Sequence, residues 1–311
     1  MEKDKKTNPP YMIGTWAWGT GMNGSKMVFG KSYSEEQLAK TFQTAYEKGF
    51  TLWDTAEVYG MGNAEKVLGK LICDKSDILI STKHQPKRKH KEGEVENAVL
   101  GSLKRLGINI IDLYWLHLPY AIQDNMLEMA QCVKKGFIRK IGLSNCNVAQ
   151  IREADEILKK QGLKLTAVQN HYSLLSMDRQ QEVLKYCIEN DILFFGYMVL
   201  EQGALSGHYD EKNHFPFLSM RGLAFGKKKF HRIQNLIDYE RFLAHQYSVD
   251  VSQIPILWAK AKGIIPIVGI TKPQHVNELL KGINIQLQMD EMVRLELLAH
   301  ESGVTCKGSW E

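Results

Sequence analysis

GEVENAVLGSLKRLGINIIDLYWLHLPYAIQDNMLEMAQCVKKGFIRKIGLSN, residues 93–145, contains two rounds of one pattern. In GEVENAVLGSLKRLG (93–107) and QDNMLEMAQCVKKG (123–136) apolar residues recur three and four apart, the period of an amphipathic helix. The runs at 110–118 and 138–143 that follow are short, apolar and rich in Ile, Leu and aromatics, as buried strands are. Working outward, similar runs stand at 11–18, 50–54, 77–83, 165–170, 192–199 and 264–270. Helical-period segments separate most of them: SEEQLAKTFQTAYEKG, NVAQIREADEILKKQG and MDRQQEVLKYCIEN. The first has Ser34 placed as N-cap and Gly49 just past its end.

Strand and helix alternating eight times predict a parallel sheet with crossover helices. Over 311 residues this is about 39 residues per unit, which fits an α/β protein of the (β/α)8 TIM barrel type. An open doubly wound sheet is the rival. A long loop after the seventh strand, roughly 200–230, and an extra C-terminal helix complete the expected architecture. No linker or composition break divides the chain, so one domain is expected over 1–311, with 1–10 flexible and 302–311 a variable tail.

Composition is that of an ordinary globular protein: 44% hydrophobic, 24% charged, 25 Gly and 8 Pro. A net charge of +5 is too mild to argue for nucleic acid. Five cysteines (73, 132, 146, 187, 306), widely spaced and without a C-x-x-C pair, speak against a disulfide framework and a zinc ribbon. The charged, proline-broken start carries no apolar signal core, and no run approaches the roughly 20 apolar residues that span a bilayer. A cytoplasmic protein with no membrane partner is expected.

In such a barrel, catalytic groups close the strands at one rim. The polar residues that end the apolar runs are Asp54, Lys83, His117, Ser144, Asn145, Gln169 and Asn170. Gly19, Gly21 and Gly24 in GTGMNG imitate a dinucleotide-binding loop. That loop should open a helix, whereas SKMVFGKSY follows and the next expected helix begins near Ser34, so the glycines read as a loop at the barrel mouth.

Asp54, Tyr59, Lys83 and His117 form the constellation with chemistry. They fall on or just after three consecutive strands, and parallel neighbours lie about 5 Å apart, so the side chains can converge. A free tyrosine, with a pKa of about 10, is a poor acid at neutral pH. A lysine ammonium beside it is expected to lower that value, with Asp54 holding the lysine charged. The phenol could then protonate a carbonyl oxygen that His117 orients. No nucleophile or metal ligand is present in this set, so the site calls for a reductant.

DTAEVYG, STKH, LYWLHLP, KIGLSN, AVQNHYSLL, YMVLEQGALSGHY and PIVGITKP resemble, in order and spacing, the aldo-keto reductases from about Tyr11 to Leu298. The resemblance implies a TIM-type barrel that uses a nicotinamide cofactor and reduces small aldehydes or ketones, or runs the reverse alcohol oxidation. It implies that Asp54, Tyr59, Lys83 and His117 are the catalytic tetrad. It places Thr15 and Trp16 along the cofactor, Ser144, Asn145 and Gln169 at the nicotinamide carboxamide, and Tyr197 stacked on the nicotinamide ring. Gly203, Leu205 and Ser206 would meet the diphosphate, Lys272 a 2′-phosphate and Glu278 the adenine. His275 and Leu279 stand where the family often has Arg and Asn. NADP(H) is the favoured cofactor because Lys272 remains, with NAD(H) less excluded than usual.

Trp18, Trp53, His84 and Tyr120 are expected near the rim as a substrate wall. The basic run KHQPKRKHK (83–91) and the lysines at 227–229 read as solvated surface, and His84 and His90 lack metal-site spacing. No metal is expected. Trp310 stands in a tail that could cross the pocket mouth. Two rival functions belong to other classes: a cofactor-binding regulatory subunit with little turnover, and a sugar-phosphate isomerase indifferent to nicotinamide.

Overall fold

A computed structural model describes residues 11–215 and 220–307. Eight parallel strands close into a barrel in chain order, each bonded to the next and the last to the first. They are β1 (Met12–Gly14), β2 (Leu52–Asp54), β3 (Leu79–His84), β4 (Ile111–Leu116), β5 (Ile138–Ser144), β6 (Leu165–His171), β7 (Leu193–Tyr197) and β8 (Ile265–Gly269). The helices up to β7 are α1 (Ser25–Phe29), α2 (Glu35–Glu47), α3 (Asn63–Ile72), α4 (Glu94–Leu106), α5 (Ile122–Lys134), α6 (Val148–Lys160) and α7 (Gln181–Glu189). Between β7 and β8 lie α8 (Met220–Ala224), α9 (Lys227–Arg232), α10 (Gln234–Tyr247) and α11 (Gln253–Ala261). After β8 come α12 (Pro273–Gly282) and α13 (Met289–Ser302), the expected C-terminal helix.

Side chains alternate across each strand, and this parity sets what the barrel encloses. Leu113 and Trp115 of β4 point inward and join Met12, Ala167, Phe195 and Ile267 in a layer that fills the barrel below its rim. Tyr114 and Leu116 point outward into the cluster under the helices. Gly142 on β5 makes the inner layer possible, because a β-carbon there would fall 2.2 Å from the Trp115 ring. Filling the interior with large side chains, each worth about 1.5–3 kcal/mol on burial, gives the rim a rigid floor.

Local signals set the helix ends. The Ser34 hydroxyl accepts the Gln37 N–H at the start of α2, and Gly49 follows the end with φ +85°. Asn147 and Gln150 cap α6 reciprocally. Three expectations change. The apolar run at 11–18 is a strand only to Gly14, and Trp16–Trp18 form a 3-10 turn. A helix does follow Gly24, the five-residue α1. The stretch after β7 is not irregular to 230, since α8 and α9 occupy part of it and Lys227–Lys229 open α9.

Candidate active site

Asp54 ends β2 with its carboxylate turned inward, 2% exposed. Lys83, on the inward face of β3 and fully buried, forms an ion pair with one Asp54 oxygen and donates to the Thr55 carbonyl at 2.8 Å. Ser81 donates to the other Asp54 oxygen at 2.5 Å, and the Gln169 amide approaches it at 3.4 Å. The chain then turns, and Tyr59 comes back over this pair so that the Lys83 ammonium stands 5.1 Å from the centre of its ring. His117, immediately after β4, sets its ring edge-on to Tyr59 with centroids 6.4 Å apart. Asp54, Tyr59 and His117 line one cavity of about 330 Å³, and Lys83 lies beneath it.

Gly19 of GTGMNG and Gly60, next to Tyr59, serve this turn. A β-carbon at Gly19 would stand 2.9 Å from the Tyr59 carbonyl, and one at Gly60 2.5 Å from the Thr20 carbonyl. They let the loop after β1 and the loop carrying Tyr59 touch backbone to backbone. Trp16, held at that contact, stacks on Tyr59 at 5.7 Å, and Phe29 of α1 packs edge-on against Trp16 at 5.3 Å.

The electrostatics differ from the sequence expectation at Tyr59. Burial, the Asp54 carboxylate and Tyr197 hold the phenol well above its ordinary value. The ammonium faces the ring rather than displacing this balance, so in the free protein Tyr59 is a firmly protonated phenol. Burial pulls the Lys83 ammonium down while Asp54 opposes it. Burial, then Lys83 and His84, hold His117 well below the usual histidine range, so its ring is neutral and hydrogen-bonds without charge.

On the far wall Ser144, Asn145, Gln169 and Tyr197 come together. The Ser144 hydroxyl donates to the Gln169 carbonyl at 2.7 Å, Asn145 donates to the His117 carbonyl at 2.9 Å, and the Tyr197 hydroxyl donates to the Asn145 Oδ1 at 2.6 Å. All four line the cavity. Thr15 does not. Its N–H and hydroxyl both bond the Asp54 carbonyl, so it anchors the end of β2 from a fully buried position. Trp16 does line the cavity.

The loop at 201–207 is arranged otherwise than expected. Gly203 lines the cavity, but the Leu205 N–H is bonded to the Leu200 carbonyl, and the Ser206 N–H and hydroxyl both donate to the Gly203 carbonyl. Leu205 and Ser206 are thus spent inside the loop. Two cavity-lining residues were missed by the sequence reading. Arg221 of α8 lines the cavity, donates to the Gln202 carbonyl at 3.1 Å and the Phe29 carbonyl at 2.8 Å, and lies 4.7 Å from the Phe215 ring centre. Lys31 lines it as well. No local motif flags either residue, because each reaches the site from a segment without periodicity.

At the opposite end, Lys272 is exposed at the start of α12, and Glu278 is partly buried one turn on, its carboxyl raised by burial and then by Asp250. His275 lines the cavity and accepts the Thr271 N–H through Nδ1 at 3.3 Å, and burial, then Lys272, lowers its pKa. Leu279 is core, 1% exposed.

The expected substrate wall is corrected. Trp53 and His84 neighbour the inward-facing Asp54 and Lys83, so strand parity turns them out of the barrel. Trp53 and Trp18 pack together at 5.3 Å under the helices, and the Trp18 indole donates to the Ile270 carbonyl. His84 faces Glu57 at 3.1 Å and Glu94 at 3.9 Å. Tyr120 carries Arg88 over its ring at 5.6 Å and lies outside the cavity. Trp16, Phe29 and Tyr33 are among the aromatic residues that line the cavity. Trp310 lies outside the described residues. Among the described residues no group of three His, Cys, Asp or Glu is arranged to hold a metal ion, and no helix is long and apolar enough to cross a membrane.

Residues 11–299 match the family model described as the Aldo/keto reductase family. The chain is 32% identical over 314 residues to the chloroplastic pyridoxal reductase of Arabidopsis thaliana, covering 94% of this chain and 84% of that protein. It is 30% identical over 293 residues to the aldo-keto reductase yakc [NADP(+)] of Schizosaccharomyces pombe, covering 87% and 84%. The structure of the thermostable aldo-keto reductase Tm1743 with the inhibitor epalrestat matches at a TM-score of 0.74 and 26% identity, covering 93% of this chain and 95% of that one.

Proposed function

The chain belongs to the aldo/keto reductase family, and from that premise we propose that it reduces a small aldehyde or ketone with NADP(H), Tyr59 giving the proton. The observation that carries this is the meeting of Tyr59, His117 and Asp54 at one cavity, with Lys83 bonded to Asp54 beneath them. When bound, the reduced nicotinamide supplies the hydride. The residues present fit it. Tyr197 offers a ring face to the cavity, Asn145, Ser144 and Gln169 offer amide and hydroxyl groups suited to a carboxamide, and Arg221 and Lys31 offer positive charge for a diphosphate. Lys272, at the N-terminus of α12, suits a 2′-phosphate.

Within this arrangement the Tyr59 hydroxyl and the neutral His117 ring both hydrogen-bond the carbonyl oxygen and set its orientation. Tyr59 hands over its proton as negative charge develops there, and the Lys83–Asp54 pair holds Tyr59 in place from below. Trp16, Phe29 and Tyr33 favour a carbonyl that carries an aromatic or apolar group, and their rings keep water from the reacting oxygen.

The test is a fluorescence titration with NADPH and NADH, then a panel of aldehydes and ketones that includes pyridoxal, the substrate named for the Arabidopsis relative. NADPH should bind more tightly, and Tyr59→Phe should keep that binding and lose turnover. Unchanged turnover in Tyr59→Phe removes the proposed proton donor. Tight NADPH binding with no turnover on the panel favours a cofactor-sensing regulatory protein.

A further inference from the structure

The outer face of α13 is apolar and uncovered among the described residues. Met289, Val293 and Leu297 stand four residues apart, so they line one side of the helix, and they are 75%, 57% and 44% exposed. Among the described residues no other helix carries three large exposed apolar side chains at that spacing. Isolated apolar side chains on a surface are ordinary, whereas an aligned row on one helix marks a contact face. Met292, Leu295, Leu298 and Ala299 fill the buried side of the same helix, so the outer row is surplus to the core.

α13 is held on both flanks. On one, the Gln246 amide and the Tyr247 hydroxyl of α10 donate to the two Glu291 oxygens at 2.9 and 2.6 Å. On the other, the Trp258 indole of α11 donates to Glu296 at 2.9 Å, and Lys262 pairs with the same oxygen at 3.0 Å. The α10 flank extends the apolar face. Phe242 is 59% exposed and stacks on Tyr239 at 5.9 Å. Burial raises the Tyr239 phenol, and after it the charges of Glu291, Asp290 and Arg294 act on it, which sets this aromatic pair beside the first turns of α13.

We propose that this face docks a second copy of the chain, α13 lying antiparallel to its counterpart with a two-fold axis at Val293. The row reads alike in both directions from that residue, so Met289 of each copy meets Leu297 of the other. The charges argue for the same partner. Asp290 lies three residues before Val293 and Arg294 one residue after it, both exposed and both on the α10 side. Two-fold symmetry keeps the α10 sides together and brings Asp290 to within about 3 Å, measured along the helix, of Arg294 of the other copy. Two opposite-charge pairs form, one from each end, with no third component. Asp238, Asp290 and Glu301 set carboxylates around the face, which weighs against an anionic lipid surface. Two helices of 14 residues, each about 21 Å long, make a face at the small end of protein interfaces, so the dimer should be a micromolar one.

The experiment measures mass in solution by sedimentation velocity over a dilution series that reaches about 200 µM. It compares wild type with Val293→Glu, Asp290→Arg and the swapped pair Asp290→Arg/Arg294→Asp. Wild type should pass from monomer to dimer across the series. Val293→Glu puts carboxylates on the two-fold axis and should raise the dimer Kd at least about a hundredfold. Asp290→Arg gathers four like charges and should raise it about tenfold, while the swapped pair should return it to within about threefold of wild type. None of these residues lines the cavity, so whatever quenching NADPH produces in wild type should be unchanged in every variant. Should Val293→Glu melt low, Leu297→Gln probes the same row more gently and should raise the dimer Kd severalfold.

A wild type that stays monomeric through the series overturns the proposal. A dimer that Val293→Glu and Leu297→Gln both leave intact overturns it as well, because association then uses another face. So does a swapped pair no better than Asp290→Arg, which removes the antiparallel register. A monomeric wild type that sediments with phosphatidylserine vesicles, and loses this in Val293→Glu, would assign the face to a membrane instead.

Discussion

The Lys83 ammonium lies over the face of Tyr59, 5.1 Å from the ring centre, while it pairs with Asp54. A cation there is attracted to the ring and steadies it. It does not offset burial and the Asp54 charge, which keep the phenol protonated. Reduction needs the phenol as acid, and oxidation of an alcohol needs it as phenolate. The reductive kcat/KM should therefore be flat across the neutral range, while the oxidative rate climbs into alkaline pH. Lys83→Met leaves Asp54 beside the phenol without its counter-charge, so the oxidative limb should move further up. Stability will fall as well, and the shape of the pH–rate profiles in the two directions, rather than their height, is the measurement. A reductive profile that falls as a group with pKa about 7 loses its proton would show an acidified phenol instead.

Arg221 joins segments 192 residues apart, donating to the carbonyls of Phe29 and Gln202 at the edge of the cavity. Hydrogen bonds from a charged donor contribute roughly 1.5–3 kcal/mol. The loop after β1 and the loop after β7 are thereby closed toward each other over the space read as the cofactor site. Arg221→Met, which keeps length and loses the donors, should speed NADPH release about tenfold in stopped-flow fluorescence. An unchanged release rate would show that the two loops stay closed without it.

Strand order and the convergence of Asp54, Lys83 and His117 were legible in the sequence because both rest on short-range pattern, eight apolar runs and polar residues at their ends. Tyr59 differs, lying in the turn five residues past its strand. What the sequence reading missed depended on parity and on distance. Lys83 and His84 are adjacent, yet one points inward to Asp54 and the other outward to Glu57, and a run of apolar letters does not mark which is which. Trp18 reads as a rim residue in the sequence, but its indole is bonded to Ile270, 252 positions away. At Leu205 and Ser206 the bonds that close the loop on itself go with left-handed turns at Met198, Glu201 and Gln202, none of them glycine.

His117 gives the acid limb of stability a definite sign. Its ordinary value is 6.5, and burial, then Lys83 and His84, depress it in the folded protein. Below pH 6.5 the unfolded chain takes up a proton that the folded chain refuses. Its contribution is therefore complete above that pH and is lost as the pH falls toward the depressed value. Wild type should lose stability faster than His117→Gln between about pH 7 and about pH 5, compared by urea midpoints at each pH. Parallel losses in the two proteins would mean that the ring is charged in the folded state.

Glu240 on α10 is fully buried, and among the described residues neither carboxylate oxygen has a hydrogen-bond partner. Burial raises its carboxyl well above the ordinary 4.5, against a smaller opposing effect of Arg241. As the pH rises above 4.5 the unfolded chain ionises this group before the folded chain does, so folding carries a cost that grows from there toward the raised value. An unsatisfied buried polar group costs roughly a further 1–3 kcal/mol. Glu240→Met keeps the approximate length and removes both costs, so it should raise the melting temperature at pH about 7 by several degrees. The gain should shrink below pH 4.5, where both states of the wild type are protonated. A variant that melts lower at neutral pH would show that the carboxyl has a role in α10 that outweighs its desolvation.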